Sequence, residues 1–277
     1  MLTPKEEEYL KNQAYIPEHL PGYGAVISQT EPLLEDDFLF YAGKGFLIFV
    51  AYPLSKKFIK KEAQKILHKV IKRFQPAQVA ILGPEIPLPR VNLVQEDAYF
   101  KLDLATLIIP GKVNNMLKRA QKEIQVEMSR EFKDEHQQLI NEFLHTHPLD
   151  EATKYIYQRI PQYLAATSSA CLFNARNAQG NLVAFDVAEF GAQAYAFYMF
   201  NFRSARHHVP GTSDLLLYSL IKEAQERGKI FINLGLGINA GVTFFKKKWG
   251  GVPFLQYKYT VYHPDYPQSL EGLWQKM

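Results

Sequence analysis

The stretch Asn201-Phe-Arg-Ser-Ala-Arg-His-His-Val-Pro-Gly211-Thr-Ser-Asp214, running on through Leu215 to Gly251, decides the fold. The run in front of it, Ala194-Tyr-Ala-Phe-Tyr-Met-Phe-Asn201, is aromatic and strand-like. Behind it a helix pattern extends from Leu215 to Arg227 and closes at Gly228. A short apolar strand, Lys229-Ile-Phe-Ile-Asn-Leu234, then ends at Gly235, and a second helix follows. Glycine and polar residues packed between a strand and a helix start mark a place where backbone amides can hold a phosphate.

Upstream, the same order of elements occurs once more. Asp37 to Ala42 and Phe46 to Tyr52 flank Gly43-Lys-Gly45 and read as a hairpin. An amphipathic helix over Ser55 to Phe74 follows, with Phe58, Ile59, Ile66, Leu67, Val70 and Ile71 on one stripe and Ser55 as its N-cap. The strand Gln78 to Leu82 ends at Gly83. In the second half the matching hairpin is Asn181–Phe190 with Gln193–Phe202, turned at Gly191-Ala192. Between the copies lie a stiff Pro84-Glu-Ile-Pro-Leu-Pro89, strand-like Tyr99–Leu104 and Thr106–Ile109, a basic helix from Asn114, a strand Ile124–Met128, and helices over Glu131–His145 and Tyr155–Ala166. The fold class is therefore α/β (α+β), with mixed sheets.

The chain has 277 residues, enough for two domains of ordinary size. With 47% hydrophobic and 22% charged residues, it has a globular composition. No apolar run approaches the roughly 18 residues of a spanning helix. The acidic N-terminus lacks a signal-peptide core, and the single Cys171 excludes an internal disulfide, so a cytoplasmic location is expected. A net charge of +4 permits an anionic ligand without implying DNA.

At this point the second half resembles the GNAT acyltransferase superfamily, above all its tandem branch with the Fem-type aminoacyl transferases. His208-Val-Pro-Gly211-Thr-Ser213 stands where that family places Gln/Arg-x-x-Gly-x-Gly/Ala. Pro210-Gly211, Ile221-Lys-Glu-Ala224, Gly228, Asn233-Leu-Gly235 and Asn239-Ala-Gly-Val-Thr-Phe-Phe-Lys to Gly251 look like its later series, over about Leu182 to Tyr262. The resemblance implies two GNAT-like domains in tandem, each a mixed, mostly antiparallel sheet flanked by helices. They would be a degenerate copy over 1–110 and a donor-binding copy over 111–277. It implies an acyltransferase taking acyl-CoA or acetyl-CoA to an amine or hydroxyl acceptor, small-molecule or peptide. The alternatives are an aminoacyl-tRNA donor or a non-catalytic binding protein on the same fold.

Acyl transfer needs an anchored donor, a deprotonated nucleophile and a stabilised carbonyl oxygen. The expected donor loop is His208, Val209, Gly211, Thr212 and Ser213, with Asn233 and Asn239 lining the place where two strands splay and Lys246 meeting an anionic donor. Asp214 is awkward beside a phosphate; otherwise Thr212 or Ser213 only caps the helix and Asp214 answers its dipole. Asp186, sharing a strand face with Ala184 and Ala188, and Glu189, on the opposite face, are candidates for proton transfer. Tyr198 on the partner strand is a candidate acid, unless it is plain core. Lys246-Lys-Lys248 equally fits a solvated helix face.

Other signals are weaker. Gly235-Leu-Gly-Ile-Asn-Ala240 matches a dinucleotide fingerprint only if Asp265 serves as its acidic residue. His145-Thr-His147 lacks further ligands, so no metal is expected. Cys171 reads as a buried small hydrophobe. The Lys112–Lys122 helix could touch RNA but reads as solvated.

Overall fold

The computed structural model describes residues 2–89 and 91–264, so Asp265 lies outside the described residues. In chain order the elements are α1 (Pro4–Gln13), a 3-10 turn (Pro17–His19), α2 (Pro21–Ser28), β1 (Glu31–Glu35), β2 (Phe38–Ala42), β3 (Phe46–Val50), α3 (Lys60–Phe74), β4 (Gln78–Gly83) and β5 (Gln95–Asp103). Then come α4 (Gly111–Ala120), β6 (Ile124–Ser129), α5 (Asp134–Thr146), α6 (Glu151–Gln158), α7 (Ile160–Ala166), β7 (Ala170–Asn177), β8 (Leu182–Glu189), β9 (Tyr195–Arg203), α8 (Thr212–Glu226), β10 (Phe231–Leu236), α9 (Ala240–Lys248) and β11 (Val252–Tyr262).

All eleven strands join one sheet, in the order β1-β2-β3-β4-β11-β5-β10-β9-β8-β7-β6. Only β3/β4 and β9/β10 pair in parallel. Each of these pairs is joined through a helix, α3 or α8, as a parallel connection requires. The repeated hairpin–helix–strand order thus takes physical form around the antiparallel β5/β11 pair. The strand that follows β4 in sequence, β5, lies against β10, whereas the strand that follows β10, β11, lies against β4. The two halves exchange their last strands, so the sheet runs unbroken across residue 110.

Helix faces follow the apolar stripes. α3 buries Ala63, Ile66, Leu67, Val70 and Ile71 against β2, β3 and β4. α8 buries Leu215, Leu216, Leu217, Leu220, Ile221 and Ala224 against β7–β10 together with α4. β8 is buried along its whole length because helices cover both of its faces. The N-terminal segment, started by a Thr3–Glu6 capping box, spreads Leu10 and Ile16 over the first half and Ala14, Leu20 and Ile27 over the second.

Three expectations are corrected. Ser55 does not cap α3: its amide and hydroxyl are taken by the Asp37 carboxylate, and the helix starts only at Lys60. Thr106–Ile109 forms no strand, because β5 is already flanked by β10 and β11, and Ile108 is left exposed. The helix expected over Tyr155–Ala166 breaks at Arg159, because Pro161 has no amide to donate back across the break and sits instead in the first turn of α7.

Candidate functional site

The pairing of β9 and β10 covers only Tyr195–Phe197 with Phe231–Asn233, and beyond it the strands part. The cause is local. Asn233 Oδ1 accepts the Gly235 amide at 2.8 Å, and its Nδ2 donates to the Tyr15 carbonyl at 2.8 Å. Gly235 sits at φ 76°, and the β10/β5 ladder shifts register there. A glycine is required by that dihedral. Asn233, fully buried, therefore shapes the fork, its amide bonded at both ends within the protein. Past the fork, Tyr198, Met199, Phe200 and Asn201 on β9 and Gly235 and Leu236 on β10 are half-buried.

At the mouth of the fork stands the loop into α8. Gly211, at φ 85°, is the N-cap and makes no side-chain cap. Thr212 turns inward, its amide and hydroxyl both donating to the Val209 carbonyl (3.3 and 2.7 Å). The Ser213 hydroxyl donates to Asn201 Oδ1 at 3.2 Å. Neither hydroxyl is therefore aimed at solvent as the sequence led us to expect. The amides of Gly211, Ser213 and Asp214, however, have no hydrogen-bond partner among the described residues. Orphan amides at a helix start attract an anion. Around them Arg203, Arg206, His207 and His208 are exposed, and Ser204 Oγ accepts the Arg206 and His207 amides, which fixes the loop.

Asp214 does not oppose an anion there. Its buried carboxylate accepts from Trp249 Nε1 at 2.8 Å and pairs with Lys248 Nζ at 2.5 Å. Its charge is neutralised beneath the helix start rather than displayed at it. The three lysines of α9 accordingly go three ways. Lys248 pairs with Asp214, Lys247 is exposed, and Lys246 is buried at the fork. Lys246 Nζ donates to the Leu236 carbonyl and lies within 3.7 Å of where a Cβ on Gly235 would stand. Burial lowers its pKa to about 7, only partly opposed by Asp97.

Asp186 and Tyr198 meet on the α8 face. Asp186 is fully buried; Oδ1 accepts from Asn201 Nδ2 at 2.6 Å, and Oδ2 has no partner. Burial drives its pKa well above the usual carboxylate range, against the pull of Asn201 and Tyr198, which favours the neutral form. Tyr198, held beside the Phe245 ring (centroids 6.4 Å apart), has its pKa pushed well up by burial and by Asp186, and stays a phenol. A chain of contacts therefore runs from Asp186 through Asn201 to Ser213 in the loop.

Glu189 does not join them. Its carboxylate accepts from the Tyr163 hydroxyl and from the Phe190 and Gly191 amides (3.0 and 2.8 Å), closing the hairpin on the other face. Asn239 is the N-cap of α9, accepting from the Val242 amide at 3.0 Å. Sequence reasoning did not single out Asn201 as the link to the loop, nor Asp97, which accepts the Gly237 and Ile238 amides (3.1 and 2.8 Å) and holds Ile238 at φ 61°. Asn201 could have been found from the hairpin register, which puts it opposite Asp186.

Comparison with solved structures shows what the fold is similar to. FemX aligns over 100% of this chain and 98% of its own, with a TM-score of 0.61 at 11% identity. The L-PGS structure from Bacillus licheniformis aligns over 97% and 94%, with a TM-score of 0.59 at 18% identity. The chain has a tandem GNAT-like fold of the Fem type. A tandem GNAT protein from the clavulanic acid biosynthesis pathway also aligns, over 95% of each chain, with a TM-score of 0.54 at 10% identity. No protein-family model and no curated protein matches the sequence. Among the described residues no group of metal-ligating side chains occurs and no helix is long and apolar enough to cross a membrane.

Proposed function

We propose that the protein is an acyltransferase that moves an acyl group from acyl-CoA to an amine or hydroxyl acceptor at the β9/β10 fork. The observation that carries the reading is the pairing of that fork with three unpartnered amides at the start of α8. The diphosphate of the carrier lies on the Gly211, Ser213 and Asp214 amides, helped by the helix dipole and by Arg206 and His208. The thioester arm enters the gap that β10 leaves when it turns away at Gly235. As the nucleophile attacks, the C–S bond breaks, and the phenol of Tyr198 is the proton donor for the departing thiolate. Lys246 at the fork supplies a positive dipole or charge to the carbonyl oxygen. Asp186, out of reach of solvent, is a positioning residue that holds Asn201 and Tyr198.

CoA and acetyl-CoA are expected to raise the melting temperature. At a hundred times Kd the gain is about 2.7 kcal/mol. No shift with either compound would contradict the reading. The exposed Arg203, Arg206 and Lys247 around the same loop favour a second reading, in which the donor is an aminoacyl-tRNA. Protection of charged tRNA from deacylation, without stabilisation by CoA, would select it.

A further inference from the structure

The 3-10 turn between α1 and α2 carries a carboxylate over the open end of the fork. Tyr15 fixes its approach, because the Tyr15 carbonyl is bonded to Asn233 at the last residue pair before the strands part. On the far side Leu20 packs with Phe197, and Tyr23 lies against Phe200, with ring centroids 6.4 Å apart. Glu18 sits between these two anchors.

The turn is pinned from several directions. The Tyr41 hydroxyl donates to the main-chain carbonyls of Glu18 (2.8 Å) and Leu20 (3.2 Å). His19 Nε2 meets the Tyr52 carbonyl at 3.0 Å. Glu18 Oε2 accepts from the Tyr99 hydroxyl at 2.8 Å. Besides Tyr99, Glu18's own backbone amide bonds to the carboxylate, and no lysine, arginine or histidine among the described residues pairs with it. The residue as a whole is half-buried, and Tyr23, Tyr41, Tyr52, Tyr99 and Tyr257 all lie near enough to feel the charge of its carboxylate. Burial raises its pKa, as suits a group that takes up a proton. A carboxylate fixed by the Tyr99 hydroxyl beside the fork and lacking a cation of its own among the described residues is suited to receive an ammonium group.

We propose that Glu18 receives the ammonium of the acceptor and takes its first proton, which makes the acceptor an amine rather than an alcohol. This rests on the reading of the fork as an acyl-transfer site. In the step, the ammonium gives one proton to the Glu18 carboxylate and becomes a free amine. Its nitrogen attacks the thioester carbonyl, the C–N bond forms, and the C–S bond breaks. The second proton lost by nitrogen ends on the thiol, and the Glu18 proton returns to water.

Phenethylammonium, titrated into the full chain without a donor and followed by ligand-observed NMR, tests this. It is expected to bind the native protein and to bind Glu18→Gln at least about tenfold more weakly. Its uncharged isostere 2-phenylethanol is expected to bind both alike. Glu18→Asp, which keeps the charge, should retain the preference for amine over alcohol. Equal amine binding by native protein and Glu18→Gln, or no preference for the amine in the native protein, would overturn the proposal. Because no thioester is present, a wrong donor assignment leaves this measurement untouched, while failure of CoA to stabilise the protein counts against the fork alone.

Discussion

The two parallel strand pairs of the sheet are built alike and end differently. β3 and β4 pair from Phe46/Gln78 to Val50/Leu82, and the ladder continues with the Ala51 amide on the Leu82 carbonyl at 2.7 Å. A Cβ on Gly83 would press on Ala51, so the seam there is closed. β9 and β10 stop after three pairs and fork. The loops that follow differ in the same sense. In the first half the Asp37 carboxylate accepts the Ser55 amide (3.1 Å), the Lys56 amide (3.0 Å) and the Tyr9 hydroxyl (2.6 Å). A hollow of about 570 Å³ opens over this place, lined in part by Lys5, Tyr9, Asp37, Ser55 and Lys56, but its amides are already occupied by the protein's own anion. In the second half the Asp214 carboxylate is drawn underneath by Trp249 and Lys248, and the Gly211, Ser213 and Asp214 amides have no partner among the described residues. The same architecture thus carries an internal anion on one side and unpartnered amides on the other.

The comparison can be broken most sharply at Lys246. Lys246→Met should lower the transfer rate about 100-fold or more without loss of stability. Lysine here titrates at about 7 in the folded chain against 10.5 when unfolded, so its protonation opposes folding. That cost is full below about pH 7 and is relieved as pH rises from there toward 10.5. Melting curves across this window should rise for the native protein and lack that component in the variant.

Gly211→Val comes next. A side chain at φ 85° costs about 1–2 kcal/mol, and its Cβ would stand 3.3 Å from the Met116 carbonyl. The melting temperature should fall modestly, and the stabilisation by CoA should vanish. Tested in the first half, Asp37→Asn should lower stability by about 1–3 kcal/mol and leave transfer activity intact. Burial pushes the Asp37 carboxyl up, but Tyr9 and the Ser55 and Lys56 amides outweigh it and hold its pKa below the ordinary value. Its contribution is therefore present above the unfolded pKa and lost as pH falls through the folded one, and the acid limb of a stability–pH curve should flatten in the variant. Smallest of all, Lys248→Met should weaken CoA binding a few-fold by leaving Asp214 charged and half-paired beneath the loop.

Much of this was legible in the sequence because it rests on local signals. Turn glycines, apolar periods and strand runs gave the repeated hairpin–helix–strand order, and Pro210-Gly211 marked the loop. The exchange of β5 and β11 was not legible, since β-branched and aromatic runs do not say which neighbour they pair with. The site was read in part. Lys246 lies at the fork, but Asp186 meets both Asn201 and Tyr198 only because the β8/β9 register shifts at Val187/Ala188, and that bulge is not visible in the alternation. Glu189 and Asn233 are polar residues consumed by the backbone, and their type alone does not reveal that. Glu18 escaped notice because its setting depends on Tyr52 just past β3 and on tyrosines from β5 and β11, far away in the chain.

Backbone amide NMR during a CoA titration tests the contrast most directly. The account predicts that the Gly211, Ser213 and Asp214 resonances shift in a saturable way while those of Ser55 and Lys56 stay put. Shifts at Ser55 and Lys56, or unmoved resonances at the start of α8, would contradict it.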